Sequence, residues 1–461
     1  MSAGDYSYGI QPGAAASHLI TELAWSALML PLVLFAWHQS HFQYDIYMPG
    51  DFGLMIYRLS VAAVLVLIAT SSISNYKKQL VYMVLGYIVL AALHAVLDQI
   101  LTAEGKLPYF LQAMAFSVMM LPIISDKRML RRFIRVNFLL GMMLITLSTI
   151  PLLHWLDVLS LPYAQITRFA GETTRPDLDP LYFGLFGLTE SYVPIGNPLG
   201  VARLQGFSFE PLHWAYFVFL TLASGLFLLA ASNKKSRGIG VGALLMFALI
   251  AFHFFFIFSM SAFLAAAACF GSIGYFFVSR RNHRNRKKEA LYGLILLVVT
   301  PGILIPFAIA QIPDIGFYLV AEDVLNKGSN WDDKIGFLAL GSSLYTRFVP
   351  TFGDIPAASH NLVLSTYLKY GYILSLPLIG YCWALMKNAF AGLPFAILAG
   401  TAITILAHML VVPPQFFYPS GAMWILMAVG VAFHARRTES NRAVIPSASV
   451  TPLRGKVEPS R

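Results

Sequence analysis

The chain has 461 residues, of which 57% are hydrophobic and 12% charged, with a mean hydropathy of +0.67. Soluble domains average roughly 25% charged residues, so this composition excludes an ordinary soluble enzyme and points to a polytopic membrane protein. The formal net charge is +10, but the basic residues cluster in short segments between apolar runs, a pattern of membrane orientation rather than of nucleic-acid binding.

The N-terminal stretch "MSAGDYSYGIQPGAAASHLITELAW" has no Lys or Arg before the first apolar run. It lacks the basic n-region of a cleaved signal peptide, so the first segment is expected to stay as a span. Twelve apolar stretches approach the length that crosses ~30 Å of hydrocarbon. They are 18–37, 53–73, 80–100, 107–125, 133–155, 212–232, 239–257, 260–278, 290–310, 371–387, 390–411 and 419–435. All are expected to be helices, because backbone polar groups have no other partner in lipid. The pair 239–278 is nearly continuous, with a turn near Ser259. The expected fold is thus all-α, with residues 1–435 as a single membrane domain. Cys269 and Cys382 lie in apolar runs, match no metal or redox spacing, and read as packing residues. Residues 436–461 are polar and basic with Pro and Ser, and are expected to be disordered and to lie near anionic lipid.

Counting Lys and Arg by side orients the chain. One set of inter-span loops holds seventeen, with six more in the C-terminal tail, against eight in the alternate set. The eight are spread over much longer loops. This places both termini in the cytoplasm, in agreement with an even number of spans. Two long loops then face outward, at about 156–211 and 311–370. Long ordered loops in a compact protein usually carry function.

Those loops hold a few sharply placed polar residues. Arg203 lies in "GVARLQGFSFEPLHWAYF", just before a span, and Arg347 lies in "SSLYTRFVPTFGDIPAASHN", thirteen residues before His360. The planar guanidinium binds phosphate in bidentate fashion at any working pH, so two such groups beside an apolar wall suit a lipid-linked pyrophosphate. The competing reading is that they snorkel or pair with nearby carboxylates. Ser359 can cap the helix that starts at "SHNLVLSTYLKYGYI", and Asn361 lies in its first turn. A helix N-terminus disfavours imidazolium, so His360 is expected to be neutral and able to accept a proton as a general base. It also reads as an interfacial histidine bonded to backbone. Glu210 precedes Pro211, a good first helical residue. It either caps that helix or, held extended by the proline, holds Arg203 or orients an acceptor hydroxyl. His213 is a weaker candidate two residues on. Arg58 sits five to six residues into its span, where an arginine usually faces protein or water, and has no assigned role. No Walker loop, dinucleotide fingerprint, HExxH, nucleophile elbow or metal spacing is present. No cofactor or metal is expected, and no nucleic acid.

At these residues the chain resembles the bacterial O-antigen ligase/polymerase family. "RLQGFSFEPLHWAYFVFL" resembles the Arg-x-x-Gly-Phe-x-x-Glu-Pro segment of O-antigen and exopolysaccharide polymerases, and "ASHNLVLSTYLKYGYI" is similar to the family's Ser-His-Asn segment. The order of parts is also similar, and the resemblance covers about residues 195 to 435. It implies a metal-independent, GT-C-like glycosyltransferase of the bacterial inner membrane with two long periplasmic loops. Its substrate would be an undecaprenyl-pyrophosphate-linked oligosaccharide, its surroundings membrane lipids, and a chain-length regulator protein a partner to look for. Carried over residue by residue, Arg203 and, less directly, Arg347 would bind pyrophosphate, and His360 would activate the acceptor hydroxyl. The chain departs from relatives at "FSMSAFLAAA", where many have an Arg after a Ser: here Met260 and Ala262 flank Ser261.

Polymerase, ligase and transporter remain to be separated. Ligases tend to have Asp-Pro-Asn or His-Pro-Asn where this chain has Glu210, Pro211 and Leu212, which leans toward a polymerase extending a lipid-linked glycan. A ligase would instead move the finished glycan to lipid A core. A non-catalytic flippase predicts ionisable residues mid-span and symmetric halves; here the spans are nearly charge-free at their centres and the distinctive polar residues sit in the outer loops, which argues against it.

Overall fold

The computed structural model describes residues 12–41, 52–70, 78–102, 107–165, 181–184, 186–189, 203–206, 211–230, 241–257, 372–386 and 397, with helical residues at 422–423, 425–427, 429–430 and 433–434. Predicted spans 260–278 and 290–310, the loop 311–370, the tail 436–461 and all of span 390–411 except Ile397 lie outside these residues.

The described apolar segments are helical. In chain order they are α1 (Pro12–His41), α2 (Phe52–Thr70), α3 (Lys78–Thr102), α4 (Leu107–Ser125), α5 (Lys127–Leu147), α6 (Ile150–Trp155), α7 (Pro211–Ala230), α8 (Val241–Ile257) and α9 (Tyr372–Met386). Three stretches are long and apolar enough to cross a membrane: Ile20–Trp37, Leu80–Leu97 and Lys127–Trp155. Their outward faces are apolar as well. On α3, Tyr82, Leu85, Val89, Leu93 and Val96 recur at helical spacing and are all exposed. Water tolerates such a stripe poorly, whereas lipid covers it at no cost.

α5 stands at the centre of the bundle, packed against α1, α4, α7 and α8. Its buried residues Leu130, Phe133, Ile134, Asn137, Leu140, Gly141 and Ile145 recur at three- and four-residue intervals and face these neighbours. α5 and α7 run antiparallel, since Asn137 meets Ser224 and Gly141 meets Thr221. The close approach requires glycine: a Cβ on Gly141 would lie 2.2 Å from Thr221 Oγ1.

α5 also begins earlier than the apolar pattern predicts. Only Asp126 separates it from α4, and the Asp126 carboxylate accepts hydrogen bonds from the N–H groups of Arg128 and Met129. The basic run Lys127–Arg135, expected in a loop, therefore forms the opening turns of the helix. Its positive charge stays with the end of the bundle where Arg132 makes a forked contact to Glu22 of α1, with Arg135 Nη1 at 3.6 Å from the same carboxylate. Arg132 also lies 5.6 Å from the Trp25 ring centre. Residue His434 reaches the same corner, its Nε2 3.0 Å from the Ile124 carbonyl. The first and last described helical segments thus share one end of the bundle.

The first long loop, within an expected all-helical chain, carries a sheet. β1 (Ala164–Gln165), β2 (Leu181–Phe183), β3 (Phe186–Thr189) and β4 (Arg203–Gly206) form an antiparallel meander in the order β1-β2-β3-β4. Strands of two to four residues are too short to show the alternating pattern that announces a strand in sequence. The sheet packs against α6, α7 and α8, at the end of α5 opposite the basic turns.

Candidate functional site

The sheet is seated from two sides. On one, His154 in α6 lies against Phe183 of β2 and against Tyr163, with ring centres 4.8 and 5.4 Å away. Its Nδ1 accepts the N–H of Leu161 at 3.2 Å. Asp157, at φ 55°, turns the chain between α6 and this contact. On the other side, β4 rests on the opening turns of α7 and on α8. Leu204, Gln205 and Gly206 are fully covered there. Gly206 adopts φ 56°, a left-handed conformation that glycine takes without strain, and its Cα abuts the Trp214 indole.

Trp214 belongs to a buried aromatic file. Its ring stacks on Phe217, 4.8 Å between centres, and Phe217 meets Trp37 of α1 edge-on. Trp214 Nε1 donates to His253 Nδ1 of α8 at 3.4 Å. Trp37 Nε1 in turn donates to Asn137 Oδ1 at 3.0 Å, and Asn137 Nδ2 donates to Ser224 Oγ at 3.0 Å. Two short hydrogen-bonded strings thus tie α1, α5, α7 and α8 together beneath the sheet. Trp37, Asn137 and Ser224 are joined in this way and Trp214 is satisfied by His253 Nδ1, whereas His253 Nε2 is buried without a hydrogen-bond partner among the described residues.

The sequence candidates fall unevenly on this frame. Arg203 is the first residue of β4, in register opposite Thr189 of β3. His213 is the third residue of α7, in the same corner as β4. Both therefore sit at the sheet end, held by backbone that is paired or helical. Arg58 lies on the exposed face of α2, with α1 packed between α2 and α7. Glu210, Arg347, Ser359, His360 and Asn361 lie outside the described residues. Among the described residues no group of three His, Cys, Asp or Glu side chains comes together as a metal site.

The sequence reading passed over Trp214, His253, Asn137 and Ser224. A signal existed for two of them. His253 interrupts "FALIAFHFFFIF" and Asn137 interrupts "RFIRVNFLLG", and a polar side chain inside a span marks an interior contact. Comparison of the chain with protein-family models, with curated proteins and with solved structures finds no match.

Proposed function

We propose that the chain is a polytopic inner-membrane glycosyltransferase that extends a polysaccharide at the periplasmic face, using an undecaprenyl-pyrophosphate-linked glycan as donor. The observation that carries this reading is the mounting of Arg203: it opens a strand clamped on the helix ends farthest from the Lys127–Arg135 turns. The stretch Lys127–Trp155 is 29 residues long, roughly 40 Å of helix, enough to separate the two ends by a bilayer. Lys and Arg concentrate on the cytoplasmic side of membrane proteins, which supports a reading with the sheet, and Arg203 with it, outside. The twelve-span topology and cytoplasmic termini belong to the same reading, and the shared corner of Glu22 and His434 agrees with an even span count.

The chemistry is a displacement at the anomeric carbon. His360 removes the proton from an acceptor sugar hydroxyl, whose oxygen forms the new glycosidic bond. The bond between the donor sugar and its diphosphate breaks, and undecaprenyl diphosphate leaves. Arg203 and Arg347 meet the charge that grows on the diphosphate oxygens, a contact stronger in the transition state than in the ground state. Holding both lipid-linked substrates at the bilayer edge supplies proximity. Glu210 and His213 are assigned to the acceptor, and Ser359 and Asn361 to supporting roles beside His360. No metal or cofactor enters these steps.

The test is glycan chain length in cells carrying His360→Ala or Arg203→Ala, with insertion of the mutant protein checked by blotting. The proposal expects single repeats in place of a ladder. Long chains stranded on the lipid carrier would indicate a ligase, and a normal ladder from normally inserted protein would remove both readings.

A further inference from the structure

α2 carries a single charged residue in nineteen, Arg58, and it stands on the exposed face, opposite the side that packs on the described helices. Ile56, Ser60, Ala63, Val64 and Leu67 face inward and are buried. Leu54, Met55, Arg58, Leu59 and Ala62 face outward at one-turn spacing and line an open groove of about 510 Å³. Among the described residues no carboxylate pairs with the Arg58 guanidinium. A cation on an otherwise apolar, outward-facing helix needs an anion or water.

The depth of the residue says which. Tyr57 packs at a tilt against Phe35 of α1, 5.5 Å between ring centres, and Phe35 lies two residues from Trp37, which meets Phe217 below the sheet. Arg58 therefore belongs to the sheet-end half of the bundle. It is six residues from the start of α2 at Phe52, roughly 9 Å of rise. Helical side chains lean toward the N-terminus, so the guanidinium leans back toward that end. From there the long side chain reaches back toward the lipid headgroups, and the guanidinium fork fits a phosphate's oxygens in two-point fashion.

We propose that this face of α2 is a binding site for one membrane lipid whose headgroup carries a net-negative phosphate. Arg58 holds the phosphate, and the lipid chain lies along Leu54, Met55, Leu59 and Ala62. The site is independent of the glycosyl-transfer reading, since it uses none of the sheet-end residues. A zwitterionic lipid fits less well, because its own cation offsets the phosphate charge that Arg58 requires.

Native mass spectrometry of the detergent-purified full chain, titrated with phosphatidylglycerol or phosphatidylcholine, tests this. The first phosphatidylglycerol should bind in preference to phosphatidylcholine. Arg58→Gln should weaken that first binding about tenfold or more, the loss of a charge-assisted hydrogen-bond pair. Arg58→Lys, which keeps the charge but not the fork, should keep only part of the preference, and Arg131→Gln, exposed at the basic end, should leave it unchanged. Equal phosphatidylglycerol binding by wild type and Arg58→Gln would overturn the proposal. So would displacement of the lipid by millimolar inorganic phosphate, which would make this a free-anion site. A wild-type dimer dispersed by Arg58→Gln would place a second copy on this face and overturn it as well.

Discussion

A Cβ placed on Gly206 would lie 2.3 Å from Cδ2 of Trp214. Strand β4 and helix α7 therefore touch backbone to ring, and nothing larger than hydrogen fits between them. Arg203 lies three residues upstream on the same strand, so this contact fixes how the strand meets the bundle. Gly206→Ala adds both the overlap and a left-handed backbone strain. The expected cost is about 1–3 kcal/mol, read as a lower unfolding temperature in detergent. Glycan extension should fall with it, because the strand bearing Arg203 must shift to make room.

The α5–α7 crossing depends on a second glycine. Gly141→Ala would drive a methyl into Thr221, whose Oγ1 and Cγ2 would lie at 2.2 and 2.7 Å. Thr221→Ala removes those two atoms. The double substitution should therefore recover part of the stability that Gly141→Ala alone loses, a coupling measurable in a double-mutant cycle of thermal unfolding. Strict additivity of the two changes would contradict the close approach.

Asn137 joins Trp37 to Ser224 through hydrogen bonds of 3.0 Å each. Asn137→Leu keeps the number of side-chain heavy atoms but removes both polar groups, and strands both partners. The expected loss is about 1–3 kcal/mol, the cost of leaving buried polar groups unpaired. Trp37 fluorescence offers a second readout, since the indole N–H loses its acceptor; a chain with native stability and emission would contradict the role given to Asn137.

Much of this frame was legible in the sequence. The apolar runs announced the helices, because lipid leaves the backbone no alternative and a span is long enough to read without context. The basic run at Lys127–Arg135 marked one end of the bundle, although a helix cap at Asp126 made it helix rather than loop. The sheet was not legible, since its strands have at most four residues and pair across gaps in sequence. Nor were the interhelix contacts. Which neighbour covers Gly141, or accepts from Trp37, depends on which faces of α1 and α7 meet α5; α5 shows its buried stripe, but the nearly uniform apolar helices α1 and α7 do not encode theirs in their periodicity. For the candidate site, the segment bearing Arg203 was visible as a motif, while its clamp by Trp214 and its tie to His253 came from packing alone.

At the basic end, Glu22 of α1 receives Arg132 and Arg135 of α5, with the carboxylate and Arg132 largely covered. Glu22→Gln would leave two guanidinium groups beside each other without their counter-ion. The expected loss is about 1–2 kcal/mol, scaled down from a fully buried pair because the site is partly wet. Raising the salt concentration should weaken the wild-type protein more than the variant; equal salt sensitivity would show that the ion pair contributes nothing.

The central claim is that this chain transfers a sugar from a polyprenyl diphosphate without metal. The most direct measurement reconstitutes the purified protein in lipid vesicles with a synthetic undecaprenyl-diphosphate-linked repeat, in chelator, and follows both products. The account predicts a growing series of lipid-linked glycans with stoichiometric release of undecaprenyl diphosphate, abolished by Arg203→Ala and by His360→Ala. Intact donor after incubation with folded wild-type protein, or elongation that survives both substitutions, would contradict it.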